Sequence, residues 1–316
     1  MNVYGGTIHR VFGGSNTKGN VRQSAITMLE DAEACTFCVD EAYGGGKSAM
    51  MDAEAKLLMA CIPGLREVYG GAQAADVFDD VSVTVTNGTF DRVFGGNNLS
   101  GTIRGKITVN IEETGCRPVI IGELYGGGNK AGYSVYGYKQ MKESSAPDAK
   151  LVWKPRESAT DNTADGEINV PAAQYADPQV NVKSFTSIGT IYGGGYGEEA
   201  VMVGNPTVNI NVVYGDKKDY EFSALTKTID GHPVTIPSHK SGAIGAIGNV
   251  FGGGNAAKVI GNTNVNVGTA ATVSFVSKDD EAHTNVPVVG ANIVGNVYGG
   301  GNNAEVTGET HVQIGK

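Results

Sequence analysis

Asn296-Val297-Tyr298-Gly299-Gly300-Gly301-Asn302-Asn303-Ala304-Glu305-Val306-Thr307-Gly308 decides how the whole chain is read. It runs aliphatic, aromatic, glycines, asparagine, then a short β-branched stretch closed by glycine. The same phrase returns at Phe251, Tyr192, Tyr125, Phe94, Tyr69, Tyr43, Phe12 and Tyr4, and all nine aromatics precede two glycines. Recurrence on this scale marks a repeat array, in which each unit buries its apolar face only against its neighbours. A longer period lies over the short one: Gly6-Thr7-Ile8-His9-Arg10-Val11-Phe12-Gly13-Gly14 returns 82 residues later as Gly88-Thr89-Phe90-Asp91-Arg92-Val93-Phe94-Gly95-Gly96.

Tyr69 to Phe94 is 25 residues, the length of one coil with three short strands and three bends. Val68-Tyr69 reads as the first strand, Ala75-Asp76-Val77-Phe78 as the second, and Val81-Ser82-Val83-Thr84-Val85 as the third. Strict alternation is the strand signal. Ile107–Ile111, Thr207–Ile210, Asn264–Val267 and His311–Ile314 repeat that third strand. Inward Val and Ile stack from coil to coil, and Thr, Asn and Gln face outward. Helix is disfavoured, because glycine costs about 0.8–1 kcal/mol per helical position. Met50–Met59 reads either as a short helical bulge or as the second strand of its coil, with Lys56–Cys61 as the third. The expected fold is an all-β parallel β-helix, right-handed as coils with three strands commonly are, of about eight to nine coils. Residues 1–316 form one solenoid domain, with insertions at 132–188, 213–243 and 269–292.

Composition narrows function by exclusion. Glycine is 47 of 316 residues against an average near ~7%, but it is periodic and proline is only 10, so neither collagen nor a disordered linker fits. A net charge of −9 argues against a nucleic-acid partner. No apolar run of about 20 residues marks a transmembrane segment. The repeat begins at Val3-Tyr4 without a signal peptide, so the chain is expected to be a piece of something longer.

Asn16, Asn98, Asn129, Asn255 and Asn302 occupy the fourth position after the aromatic, where stacked amides form a structural ladder. Phe12, Tyr43, Tyr69, Phe94, Tyr125, Tyr192, Phe251 and Tyr298 read as stacked aromatics, core rather than ligand platform. The insertion at 132–188 holds Tyr133, Tyr136, Tyr138 and Trp153, the candidate ligand surface, since loops leaving a solenoid commonly bind. The cysteines rank as buried free thiols first, a Cys35–Cys61 disulfide across adjacent coils second, and zinc last, because only one close pair exists. Asp161, Thr163 and Asp165 resemble the start of a calcium loop, but position 12 is Ala172 rather than glutamate. No cofactor motif is present: Gly46-Lys47-Ser48 lacks the upstream glycine pattern of a phosphate loop. The five histidines show no ligand spacing, and His232 and His239 are expected on the surface. Asp79, Asp80, Asp91, Glu112, Glu113 and Asp216 fall at differing phases, so no catalytic site is expected.

The blocks Val93-Phe94-Gly95-Gly96-Asn97-Asn98-Leu99-Ser100-Gly101-Thr102-Ile103 and Gly122-Glu123-Leu124-Tyr125-Gly126-Gly127-Gly128-Asn129 resemble the glycine-rich repeats of large adhesin-like surface proteins of gut Bacteroidales. The resemblance covers most of the chain outside the insertions. It implies a parallel β-helix, export and a cell-surface or extracellular setting, and it carries no catalytic residues. The expected function is a non-enzymatic structural or adhesive module. Its partners would be itself end to end, the rest of a longer repeat protein, a glycan, or a host or bacterial surface protein. The alternative is a polysaccharide-active lyase or hydrolase on the same scaffold.

Overall fold

The computed structural model describes residues 1–30, 36–161, 174–214, 220–276 and 282–316. The chain is a parallel β-helix, with no helix among the described residues. Two parallel sheets of nine strands each run its length. One, sheet A, comprises Asn2–Val3, Ser24–Met28, Ala55–Met59, Val81–Val85, Ile107–Glu112, Gln179–Ser184, Thr207–Ile210, Thr263–Val267 and Thr310–Ile314. The other, sheet B, comprises Gly6–Phe12, Phe37–Tyr43, Gly64–Tyr69, Gly88–Phe94, Val119–Tyr125, Ser187–Tyr192 and Ala246–Phe251, closed by Asn292–Ile293 and Val297–Tyr298.

Register explains the alternation. Ile26, Leu57, Val83, Val109, Val180, Val208, Val265 and Val312 pair in sequence along sheet A. Val11, Ala42, Val68, Val93, Leu124, Ile191, Val250 and Val297 do the same in sheet B. These two columns meet in one buried core. A single-residue slip would send every valine to solvent, which is why the repeat tolerates so little phase drift.

The third face is thinner than the sequence implies. Only Tyr133–Ser134, Met202–Val203 and Val259–Ile260 form a sheet there. The expected strand Ala75–Phe78 is reduced to bridges at Ala74 and Val77. Met50–Met59 contains no helix: Met51 bridges Val77, and Ala55–Met59 is a sheet A strand. The stretch 132–188 is not all insertion, because Tyr133–Ser134, Gln179–Ser184 and the start of Ser187–Tyr192 belong to the coil. The three insertions carry antiparallel hairpins, Tyr138–Lys142 with Leu151–Pro155, Leu225–Ile229 with His232–Ile236, and Thr272–Val276 with Ala282–Pro287.

Eight rings from Phe12 to Tyr298 stack at centroid separations of 4.6 to 5.1 Å with interplanar angles of at most 12°. Each ring follows a core residue by one position, so it points to the opposite side of the strand. The column accordingly forms its own buried cluster, separate from the core between the sheets. The glycine after each ring lets the next coil approach: a Cβ on Gly44 would lie 2.2 Å from the Gly70 carbonyl oxygen, and one on Gly126 would lie 2.3 Å from that of Gly193. Tyr4 stands outside the column. It follows a sheet A strand and is exposed, so its phrase belongs to a different phase.

Candidate functional site

The residue two before each ring lies on the same side of the strand as the ring, and in the first five coils its identity tracks the ring. Glu41, Glu67 and Glu123 precede Tyr43, Tyr69 and Tyr125, whereas Arg10 and Arg92 precede Phe12 and Phe94. The chemistry is direct: Tyr43 donates its hydroxyl to Glu41 at 2.8 Å, and Tyr69 donates to Glu67 at 2.8 Å. A phenylalanine offers no such donor, and its coil supplies arginine for the neighbouring carboxylates instead. Glu41 accepts from Arg10 Nε at 2.7 Å and from Arg66 Nη2 at 2.6 Å. Glu67 accepts from Arg92. Burial would raise Glu41, but the hydrogen bonds from Arg10 and Tyr43 outweigh it and hold the carboxyl below its usual range. Burial and the neighbouring glutamates push the hydroxyls of Tyr43 and Tyr69 well above ordinary tyrosine.

The third glutamate of the column is different. Glu123 is 1% exposed, and its Oε1 lies 2.9 Å from His232 Nε2 on the second hairpin. Its Oε2 has no hydrogen-bond partner. Tyr125, whose hydroxyl is driven up first by burial, then by the Glu123 charge and more weakly by a hydrogen-bonding approach to the same carboxylate, stands beside Glu123 but outside the geometry of a full hydrogen bond to Oε2. Arg92, the register neighbour of Glu123, is already engaged by Glu67 and by Asp230 at 3.2 Å. Burial alone would lower the Arg92 guanidinium, but Glu67 more than compensates and holds it above its ordinary value. Asp230 accepts from the Tyr196 hydroxyl at 2.9 Å, and that bond and Arg92 hold it below the usual carboxylate range against the opposing effect of burial. Burial and Asp230 push Tyr196 up to about 12.

The hairpin that brings Asp230 and His232 sits on a glycine track. The position held by His9, Asp40, Arg66 and Asp91 in the early coils becomes Gly122, Gly189, Gly248 and Gly295 in the later ones. A Cβ on Gly122 would meet Ile229 Cδ1 at 2.5 Å, and one on Gly189 would meet Val234 Cγ1 at 2.9 Å. Lys227 clamps the hairpin edge to Asp91 at 2.5 Å. Beside it opens a cleft of about 660 Å³ lined by Glu123, Thr190, Tyr196, His232, Asn249 and Phe251, among others. A second groove of about 740 Å³ runs along the third face between Trp153 of the first hairpin and the bends at Lys18, Met50 and Asp76.

Several expected site residues do different work. Tyr133 and Tyr138 are buried, not presented to ligand: Tyr133 donates to the Gly105 carbonyl at 2.8 Å, and the Tyr138 hydroxyl accepts from Ile103 N–H at 3.1 Å. The weak third face leaves backbone groups unpaired, and these hydroxyls satisfy them. Tyr136 is partly buried against the same cluster, and Trp153 alone lines a groove, with Arg104 5.1 Å from its ring. Cys61 is disulfide-bonded to Cys116, with Cα atoms 5.6 Å apart, so neither Cys61 nor Cys116 is a free thiol, and Cys61 does not pair with Cys35. Cys35 lies outside the described residues, and Cys38 is free and exposed. Asp161 takes Lys139 at 2.6 Å, and Thr163 and Asp165 lie outside the described residues. His239 is buried, its ring nitrogens 3.0 Å from the Tyr220 and Ala243 carbonyl oxygens. His232 is half-buried on Glu123, not a free surface group.

The asparagines after the ring form only a broken ladder. Asn129 donates to Asn98 at 2.9 Å and Asn302 to Asn255 at 3.2 Å, while Tyr196 interrupts the series. Asn98 and Asn255 also donate to the hydroxyls of Tyr43 and Tyr125, and Asn16 is exposed. The continuous amide ladder lies on sheet A, where Asn110, Asn181, Asn209 and Asn266 bond in series at 2.9 to 3.0 Å. Its signal was the asparagine at one phase of each Val-x-Val strand. That of the glutamate column was the Glu-x-Tyr and Arg-x-Phe pairing.

Comparison of the chain with protein-family models, with curated proteins and with solved structures found no match. No group of three or more His, Cys, Asp or Glu side chains among the described residues is placed to hold a metal ion. No helix among them is long and apolar enough to cross a membrane.

Proposed function

We propose that the chain is a structural and adhesive β-solenoid module of an extracellular or surface protein, rigid along its axis and binding through the surfaces beside its hairpins. One observation carries the reading. From Asn110 to Asn266 and from Phe12 to Tyr298 the polar and aromatic groups of the coils bond chiefly to neighbouring coils. Three hairpins interrupt the repeat among the described residues, and the two grooves adjoin the first and second of them. The Cys61–Cys116 disulfide fits an oxidising compartment.

Electron microscopy of the purified chain tests this. Rods of about 40 Å, or fibres of uniform width built from them, are expected from eight to nine coils at strand spacing. Irregular globular particles would refute it.

Glu123 beside His232 in a cleft favours a second reading, a polysaccharide-cleaving enzyme. That reading requires a second carboxylate about 5–10 Å from the first across the scissile bond. New reducing ends released from polysaccharide by the wild-type chain and not by Glu123→Gln would establish it.

A further inference from the structure

We infer that the cleft beside the Leu225–Ile236 hairpin binds a hydroxyl-rich, uncharged saccharide unit, with Glu123 Oε2 accepting a hydrogen bond from a ligand hydroxyl. The inference rests on the adhesive reading and narrows it to one site and one chemistry.

The argument begins with what the coil does elsewhere. Each glutamate of the column is matched: Glu41 by Arg10, Arg66 and Tyr43, and Glu67 by Arg92 and Tyr69. Glu123 occupies the same register position and is as deeply buried, yet one of its oxygens has no donor. A carboxylate oxygen is an acceptor only, so this atom, which has almost no exposed area in this structure, is complete when a ligand donor enters the cleft deeply enough to uncover it. The next two residues along the register are Thr190 and Asn249, where the earlier coils carry glutamate or arginine. Long charged side chains thus give way to short polar ones at one point on the sheet, and that step hollows the cleft.

The lining selects the ligand. Thr190, Asn249 and Asn302 present hydroxyls and amides, which both donate and accept, as the hydroxyls of a sugar do. Phe251, stacked between Tyr192 and Tyr298, and Tyr196, packed by Arg92 and His232, present only ring edges to the cleft, so the lining is mainly polar. Anions are disfavoured by Glu123 and Glu198 in the lining, while His232 is already on Glu123 and the nearby Arg92 is held by Glu67 and Asp230. The volume of about 660 Å³ lies in the range of small-molecule sites.

The register also supplies a sharp test. Arg10 beside Glu41 and Arg92 beside Glu67 are neighbouring-coil pairs. Thr190→Arg would rebuild that pair on Glu123 and fill the cleft at once. The full chain is titrated with the neutral tetrasaccharides of glucose, mannose, galactose and xylose by saturation-transfer NMR and calorimetry, at low and high salt. At least one series is expected to bind with little salt dependence. Affinity should fall about tenfold or more in Glu123→Gln and be lost in Thr190→Arg, whose melting temperature should not fall. No binding by any series overturns the inference. Binding that survives Thr190→Arg also overturns it, while leaving the adhesive reading intact with its site elsewhere. Salt-sensitive binding of glucosamine in place of the neutral sugars would reassign the cleft to cationic amines. If the chain retains no soluble glycan or immobilised mucin at all, the adhesive reading falls with it.

Discussion

The outer surface of sheet B is built in two ways on one coil. From Gly6 to Phe94 its mid-strand positions are His9, Asp40, Arg66 and Asp91, and its glutamates are fully paired, Glu41 by Arg10 and Arg66 and Glu67 by Arg92, which also reaches Asp230 of the hairpin. From Val119 to Phe251 the mid-strand positions are glycine, a hairpin lies on them, and Glu123 is left incompletely paired. The core columns and the ring stack run through both regions unchanged. The repeat therefore fixes the scaffold, while one substituted position per coil decides what the scaffold can carry.

The sharpest way to break this comparison is at its hinge. Arg92→Leu leaves Glu67 and Asp230 without their shared cation and should cost about 3–5 kcal/mol in urea denaturation, as the loss of one partner of a buried pair does. A loss below about 1 kcal/mol would show that the two regions are not joined through this side chain. The Cys61–Cys116 bond ties the early coils to the edge of the hairpin-covered ones, so the double serine variant should lose about 2–4 kcal/mol, with the early coils opening first in limited proteolysis. Asn209→Ala interrupts the sheet A ladder that both regions share and should cost about 1 kcal/mol. Lys227→Ala removes a partly exposed clamp to Asp91 and should cost under about 1 kcal/mol, while loosening the hairpin alone. The pH profile separates the regions more gently. Glu41 and Asp230 are held below their usual range, so the stability they contribute is present above an ordinary carboxylate pKa and is lost as pH falls through the depressed values. Melting temperature should stay level from pH 7 to about pH 5 and fall below about pH 4. At the alkaline end Tyr43, Tyr69, Tyr125 and Tyr192, raised chiefly by burial, should not ionise near pH 10 while the chain is folded, which absorbance at 295 nm would report.

The coil was legible because it is local and repeated. Val-x-Val alternation and the ring-glycine phrase carry their geometry in adjacent residues, and eight occurrences in one phase, with Tyr4 outside it, make the coil plain. The third face was over-read as a strand because its residues, Ala75 to Phe78, are as apolar as a strand yet are tied to their neighbours only by single bridges. Tyr133 and Tyr138 looked like a ligand surface because aromatic residues in an insertion resemble binding loops, but their hydroxyls satisfy backbone groups that no local pattern reveals. The disulfide depended on which coils face each other at one corner, and an offset of one coil was enough to favour Cys35 over Cys116. The Glu123 cleft was the least legible feature. His232 and Asp230 reach it from more than a hundred residues downstream, and only the folded hairpin brings them there.

Amide hydrogen exchange on the intact chain, and on a chain whose Leu225–Ile236 hairpin is cut back to a short turn, tests the two-region account most directly. Exchange in Ser187–Tyr192 and Ala246–Phe251 should accelerate about tenfold or more when the hairpin is removed, while Phe37–Tyr43 and Gly64–Tyr69 keep their protection. Equal acceleration along the whole of sheet B, or none anywhere, would contradict the account.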